Sequence, residues 1–196
     1  MKCYKPNIWI LIKELFHAIV SIIKAPYVSF PENSVVLIMD PINAYANLYS
    51  EKHITNLNKL IDVAKKKEIP VLLTRWIRTK PENPIEHIDL KGHWSFFVPD
   101  DQTNILKKIY ADDTQTVEVK YTNAFMNPDL KEIIKEKTHL ILAGAWLESC
   151  IINTTRCALD NNISVSVVRN ASTGHFPFNF ISLIDIQLVY GKCVRI

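Results

Sequence analysis

Three residues of unlike chemistry stand in like places. Asp40 follows the aliphatic run VVLIM (35–39), and Lys120 closes VEVK (117–120). Cys150 lies beyond HLILA (139–143), after the turn Gly144-Ala145-Trp146-Leu147-Glu148-Ser149. A carboxylate, an ammonium and a thiol that share one crevice are the parts of covalent catalysis, in which a sulfur nucleophile is served by a proton acceptor and a cation. Taken singly, each has a plainer reading. An Asp that ends a first strand caps the next helix or contacts a cofactor, a strand-end Lys is solvated, and a free Cys packs as a small hydrophobe. Their joint placement favours the chemical reading.

The elements that must position them are short aliphatic runs alternating with helical patterns. Strands are expected over 35–39, 70–74, 117–120, 139–143, 164–168 and 192–196. Helices are expected over 53–67, from Pro128 with Asn127 as N-cap, over 150–161 and over 178–190. Continuous aliphatic strands are buried on both faces, as in a parallel sheet, and the alternation predicts a three-layer α/β/α domain with a six-stranded, mainly parallel sheet and right-handed crossovers. Ligands bind such sheets at the carboxyl ends of the strands, where Asp40, Lys120 and Cys150 all fall. The stretch 77–112 has no clear periodicity and is too long for a passive loop, so it is expected to hold short helices and part of the site.

Composition sets the limits. The chain has 196 residues, 48% of them hydrophobic and 22% charged, with a net charge of +3. This excludes a disordered, collagenous or wholly coiled-coil chain, and it is too mild a charge to argue nucleic-acid binding. The four glycines, Gly92, Gly144, Gly174 and Gly191, are too scattered to form a phosphate cradle. Cys3, Cys150, Cys157 and Cys193 contain no C-x-x-C pair and form no disulfide framework, which fits a reducing, cytoplasmic setting. Residues 1–30 form an extension, and 31–196 the domain. From Ile8 to Ile23 the chain is nearly all apolar with a thin polar stripe of Lys13, Glu14, His17, Ser21 and Lys24. It is too short and too charged at its centre for a membrane span. It is expected to be a helix packed on the domain or on a second subunit. An amphipathic helix on a membrane surface is the less favoured reading.

The local motifs resemble those of the isochorismatase-like cysteine hydrolases, the superfamily that includes nicotinamidases and N-carbamoyl amidases. The resemblance rests on VVLIMDPINAY with Asp40, Asn43 and Tyr45, on VEVKYTNAF with Lys120, Ala124 and Phe125, and on LILAGAWLESCIINTTRCALD with Gly144, Cys150, Thr154 and Ala158. It runs from about Val35 to Ala171. Pro41, Ile42, Leu147 and Asn170 depart from the pattern. The resemblance implies a Rossmann-like fold and a catalytic triad of Asp40, Lys120 and Cys150. In that scheme Cys150 attacks as thiolate, its pKa lowered by a helix N-terminus and by Lys120. Asp40 takes the thiol proton and later delivers it to the leaving amine. Backbone N–H groups of Trp146 and Cys150 form the oxyanion hole, in a turn whose Ala145-Trp146 bond is expected to be cis, and a thioester is then hydrolysed by water. Of the four cysteines, Cys150 is expected to be the fastest to alkylate.

Tyr45, Trp76, Arg78 and Phe125 are the candidate substrate-binding residues. Arg75 and Arg78 suit an acidic substrate as well as they suit a plain surface. Relatives of the nicotinamidase type carry metal-binding Asp and His after the second strand, where this chain has Trp76 and Arg78. His87, Asp89 and His93 form only a weak cluster, so no metal and no other cofactor are expected. The expected function is hydrolysis of a C–N bond, amide or urea type, in a small molecule. The alternatives are a vinyl-ether hydrolase of the isochorismate type and a non-catalytic binding or scaffold subunit. A homo-oligomer is expected.

Overall fold

The six strands form one sheet in the order β3-β2-β1-β4-β5-β6, all parallel. They are β1 (Ser34–Met39), β2 (Val71–Trp76), β3 (Gln115–Val119), β4 (His139–Gly144), β5 (Ser164–Ser172) and β6 (Lys192–Val194). The helices are α1 (Ile8–Ile23), α2 (Glu51–Lys66), α3 (Pro128–Lys135), α4 (Ile152–Asp160) and α5 (Phe178–Asp185). This computed structural model describes residues 7–77 and 98–196. Arg78, His87, Asp89, His93 and most of the stretch expected to hold short helices lie outside them; within them, a single 3-10 turn forms at Asp100–Gln102.

Strand periodicity explains the layers. In β1, Val35, Leu37 and Met39 point into one apolar cluster, which also takes Leu130 and Ile134 of α3 and Ile152 and Ala158 of α4. Val36 and Ile38 point into the other, with Leu57, Leu60, Ile61 and Ala64 of α2. The period of two in the strand thus feeds both faces, and every residue of β1 is buried. Helix ends follow their sequence signals. Ser50 caps α2 in a capping box with His53, and Asn127 caps α3 ahead of Pro128.

Three differences from the expected boundaries bear on the site and its surroundings. The helix expected over 150–161 is a π turn at Leu147–Ile151 followed by α4, so Cys150 lies inside the first turns rather than at their start. The helix expected over 178–190 likewise splits into α5 and a π turn at Ile186–Tyr190. β5 runs on to Ser172 through an irregularity in its pairing with β4, which places Asn170 within the strand. There its side chain brackets the chain end, donating to the Ile196 carbonyl at 3.1 Å and accepting from the Ile196 N–H at 3.1 Å.

α1 rests on the domain with Ala18 and Ile22 buried, Ile19 and Val20 half-buried, and the Ile23 carbonyl accepting from Arg169. No helix among the described residues is long and apolar enough to cross a membrane.

Candidate active site

The strand order reverses direction between β1 and β4, and that junction opens a crevice at the carboxyl end of the sheet. Asp40 leaves β1 there and Cys150 follows β4. The two strands are held in register to their last residues, Met39 opposite Gly144. Gly144 has φ of +107°, and a Cβ would come within 2.1 Å of the Met39 carbonyl oxygen, so no other residue fits the seam. The Ala145 N–H then donates to that same carbonyl at 2.8 Å. The next peptide bond, Ala145-Trp146, is cis, as expected.

Asp40 is wholly buried and adopts φ of 48°, a left-handed conformation that Asp tolerates better than most residues. Thr74, at the matching height on β2, fixes it twice. Its Oγ1 accepts from the Asp40 N–H at 3.0 Å and donates to Oδ1 through a short bond. The other oxygen, Oδ2, makes no hydrogen bond of ordinary geometry among the described residues. The Cys150 thiol is the proton-bearing group beside this carboxylate. Burial raises the Asp40 pKa to about 6, against the lowering effects of Thr74 and Cys150. Burial also pushes the Cys150 thiol well up, and the Asp40 charge adds to the rise. The Trp146 backbone and the Ser149 side chain, both hydrogen-bonded to the sulfur, oppose it. Near neutral pH the pair therefore rests as a carboxylate beside a protonated thiol. The expectation of a thiol with a depressed pKa is corrected: desolvation and a neighbouring anion outweigh the helix start.

Lys120 is placed apart. It is exposed, follows β3 at the sheet edge, and is separated from β1 by the whole of β2. It is among the causes of neither the Asp40 nor the Cys150 shift. Thus the structure brings Asp40 and Cys150 together, with Lys120 an exposed residue just beyond the edge strand β3. Arg75 pairs with Glu118 across β2 and β3.

Tyr45 stands at the site. Its phenol is pushed up by burial and then by the charges of Asp40 and Cys150, and its ring lies 5.2 Å from that of Trp146. Trp76 and Phe125 are buried in the core cluster on the α3 and α4 side, the cluster that also takes Cys150. The departures at 41 and 42 also have structural work. The Pro41 carbonyl accepts from the Leu106 N–H at 2.8 Å, and Ile42 is fully buried and bridges to Ile105. Leu147, where the pattern differs again, is buried and donates its N–H to the Thr173 carbonyl at 3.0 Å.

Four residues went unrecognised in the sequence. Thr74 ends the second aliphatic run, and a hydroxyl level with Asp40 was the available signal. Tyr49 donates to the backbone carbonyls of Met39 and Asp40 at 3.3 and 3.4 Å. Glu148 and His175 form a bracket across the crevice turn. Glu148 Oε1 accepts from the His175 N–H at 2.7 Å and lies 2.8 Å from His175 Nδ1. Gly174 makes room for this, since a Cβ there would fall 1.9 Å from Glu148 Oε2. The His175 ring then meets Trp146 edge-on at 4.8 Å. No sequence spacing links Glu148 to His175, because they belong to different crossover units.

Of the other cysteines, Cys193 is buried in β6 with its thiol pushed up to about 12, and Cys157 is half-buried on α4. Among the described residues, no three His, Cys, Asp or Glu side chains gather so as to hold a metal ion.

Comparison with known proteins bears on this arrangement. The Escherichia coli (strain K12) protein described as "Probable hydrolase YcaC" is 27% identical over 177 residues, covering 84% of this chain and 77% of that one. The fold matches a cysteine hydrolase from Pseudomonas syringae pv. phaseolicola with a TM-score of 0.71, at 16% identity over 87% of this chain and 93% of the other. It also matches N-carbamoylsarcosine amidase from Thermoplasma acidophilum with a TM-score of 0.67, at 19% identity over 83% and 96%. The isochorismatase domain matches residues 34–179, from the start of β1 into α5 and across both Asp40 and Cys150, and the chain therefore belongs to the isochorismatase family of hydrolases.

Proposed function

We propose that this hydrolase cleaves the C–N bond of a small amide or urea-type substrate through a thioester on Cys150. The carrying observation is the buried Asp40 carboxylate, pKa about 6, beside the protonated Cys150 thiol at the sheet's switch point. A base of that pKa is ionised near neutral pH and still strong enough to accept a proton. As the sulfur attacks the carbonyl carbon, the thiol proton passes to Asp40 and the carbonyl electrons move to oxygen. Collapse of the tetrahedral species re-forms the carbonyl and breaks the C–N bond. The leaving nitrogen takes the proton from Asp40. Water, deprotonated by the same carboxylate, then attacks the thioester and frees the acid and the thiol.

The Trp146 and Cys150 backbone N–H groups are the donors assigned to the oxyanion. Lys120 is the third member of the triad in this reading. Its contribution in this reading is to the charge that develops on bound substrate. Tyr45 forms a wall of the pocket. The similarity to an N-carbamoylsarcosine amidase supports the choice of C–N over vinyl-ether cleavage. A panel of small amides and N-carbamoyl compounds, assayed for ammonia or amine release, tests the reading. Release by the wild type that is lost in Cys150→Ala supports it. Release that survives that substitution sinks it, as does a panel with no substrate at all.

A further inference from the structure

The apolar N-terminal helix lies outside the family domain and carries more open apolar surface than a monomer ordinarily shows. Twelve of the sixteen residues of α1 are apolar, yet only Ala18 and Ile22 are buried. Eight large apolar side chains stay exposed, from Leu15 at 43% to Trp9 at 73%. Taking roughly 180 Å² for a fully exposed large apolar residue, they leave about 800 Å² open. The largest apolar patch of a typical monomer is roughly 300–600 Å², and each side of a standard protein interface buries about 800 Å². α5 packs beside α1 and extends the surface with exposed Phe180 and Ile181.

We propose that this face is covered by a second copy of the same chain, packed helix to helix in a closed two-fold dimer. Ile8, Ile12 and Leu15, all exposed, follow one another at spacings of four and three, and half-buried Ile19 continues the row four residues on. That is the seam of a helix built to meet another helix. Phe16 and Ile23 flank the seam, and Lys13, Glu14, His17 and Ser21 lie away from it. A two-fold axis lets one such face cover its own copy completely, with no open end to extend. The polar residues argue against a lipid surface as the occupant. They mix both signs and form a narrow stripe, whereas helices that lie on acidic lipid carry a broad basic face. The inference is independent of the reaction assigned to Cys150.

The test is the mass of the full chain by light scattering and sedimentation, from about 1 to 50 µM, with Ile12→Glu, Phe16→Glu and the polar-stripe variant His17→Glu. Ile12 and Phe16 are well exposed, so circular dichroism should show both variants folded. The wild type and His17→Glu are expected as dimers, and each seam variant should weaken the dimer roughly 100-fold or more. A wild type that is monomeric at the top of this range overturns the proposal. So does a dimer that both seam variants leave intact. Flotation with phosphatidylcholine–phosphatidylserine vesicles is the second arm. A wild type that floats as a monomer, and a Phe16→Glu variant that does not, would assign the face to lipid and overturn the proposal equally.

Discussion

The two halves of the crevice are built differently. At the β1–β4 junction Asp40 and Cys150 are buried and the groups around them are held: Asp40 by Thr74, the strand ends by the Gly144 seam, and the nucleophile turn by Thr173 and the half-buried Glu148–His175 bracket. At the β3 edge the charged groups are exposed. Lys120 is open to solvent and Arg75 pairs with Glu118 on the surface of the sheet. Topology accounts for the contrast. Central neighbours β1 and β4 place their following residues side by side, while a residue after β3 starts two strands away. The buried half can therefore shift pKa values by desolvation, and the exposed half can act only on what enters the crevice.

The largest expected effect is at the dry half. Cys150→Ala should lower turnover by about 10⁴-fold or more, while stability changes by no more than about 1 kcal/mol, read from urea unfolding. Asp40→Asn should lower turnover about 10³-fold, and it should make the protein more stable. Its carboxyl pKa is raised from 3.8 to about 6, so the folded state holds that proton more tightly than the unfolded chain. The burden of the buried charge is absent at low pH, grows as pH rises through that window and is full above 6. Replacing the carboxylate by an amide should then gain about 2–3 kcal/mol at pH 7 and little at pH 4. Equal gains at both pH values would contradict a buried charge at Asp40.

The exposed half should respond more weakly. Lys120→Ala is expected to lower kcat/KM about 100-fold and to leave the acid limb of its pH profile, near 6, in place. A limb displaced by the loss of Lys120 would show that the lysine acts on Asp40 after all. The smallest effect is at the bracket. Gly174→Ala drives a methyl group into the Glu148 carboxylate, which two contacts to His175 hold in place, and should cost about 1–2 kcal/mol. A variant as stable as the wild type would mean that Glu148 swings aside freely.

The fold class was legible because the central strands are aliphatic runs bounded by turn residues that alternate with helical patterns, whereas the strand order β3-β2-β1-β4-β5-β6 is a tertiary property. The positions of Asp40 and Cys150 were legible for the same reason: Asp40 directly follows one central strand, and Cys150 follows the turn after the other. Lys120 was equally visible as a residue, but not that it follows an edge strand with β2 between it and β1. The sign of the Cys150 shift was missed because burial is a tertiary property, and the sulfur lies inside a π turn rather than at a helix end. The roles of Pro41, Ile42 and Asn170 depend on partners at Leu106, Ile105 and Ile196, whose pairing no local pattern encodes.

The central claim is that Cys150, with Asp40 as its base, forms a covalent intermediate. Its most direct test is rapid acid quenching during turnover of whichever amide the panel identifies, followed by intact mass and peptide mapping. The account predicts an acyl adduct on the peptide that holds Cys150, absent from Cys150→Ala, and formed far more slowly in Asp40→Asn. Steady turnover with Cys150 unmodified at every quench time, and undiminished when Cys150 is replaced by alanine, would contradict it.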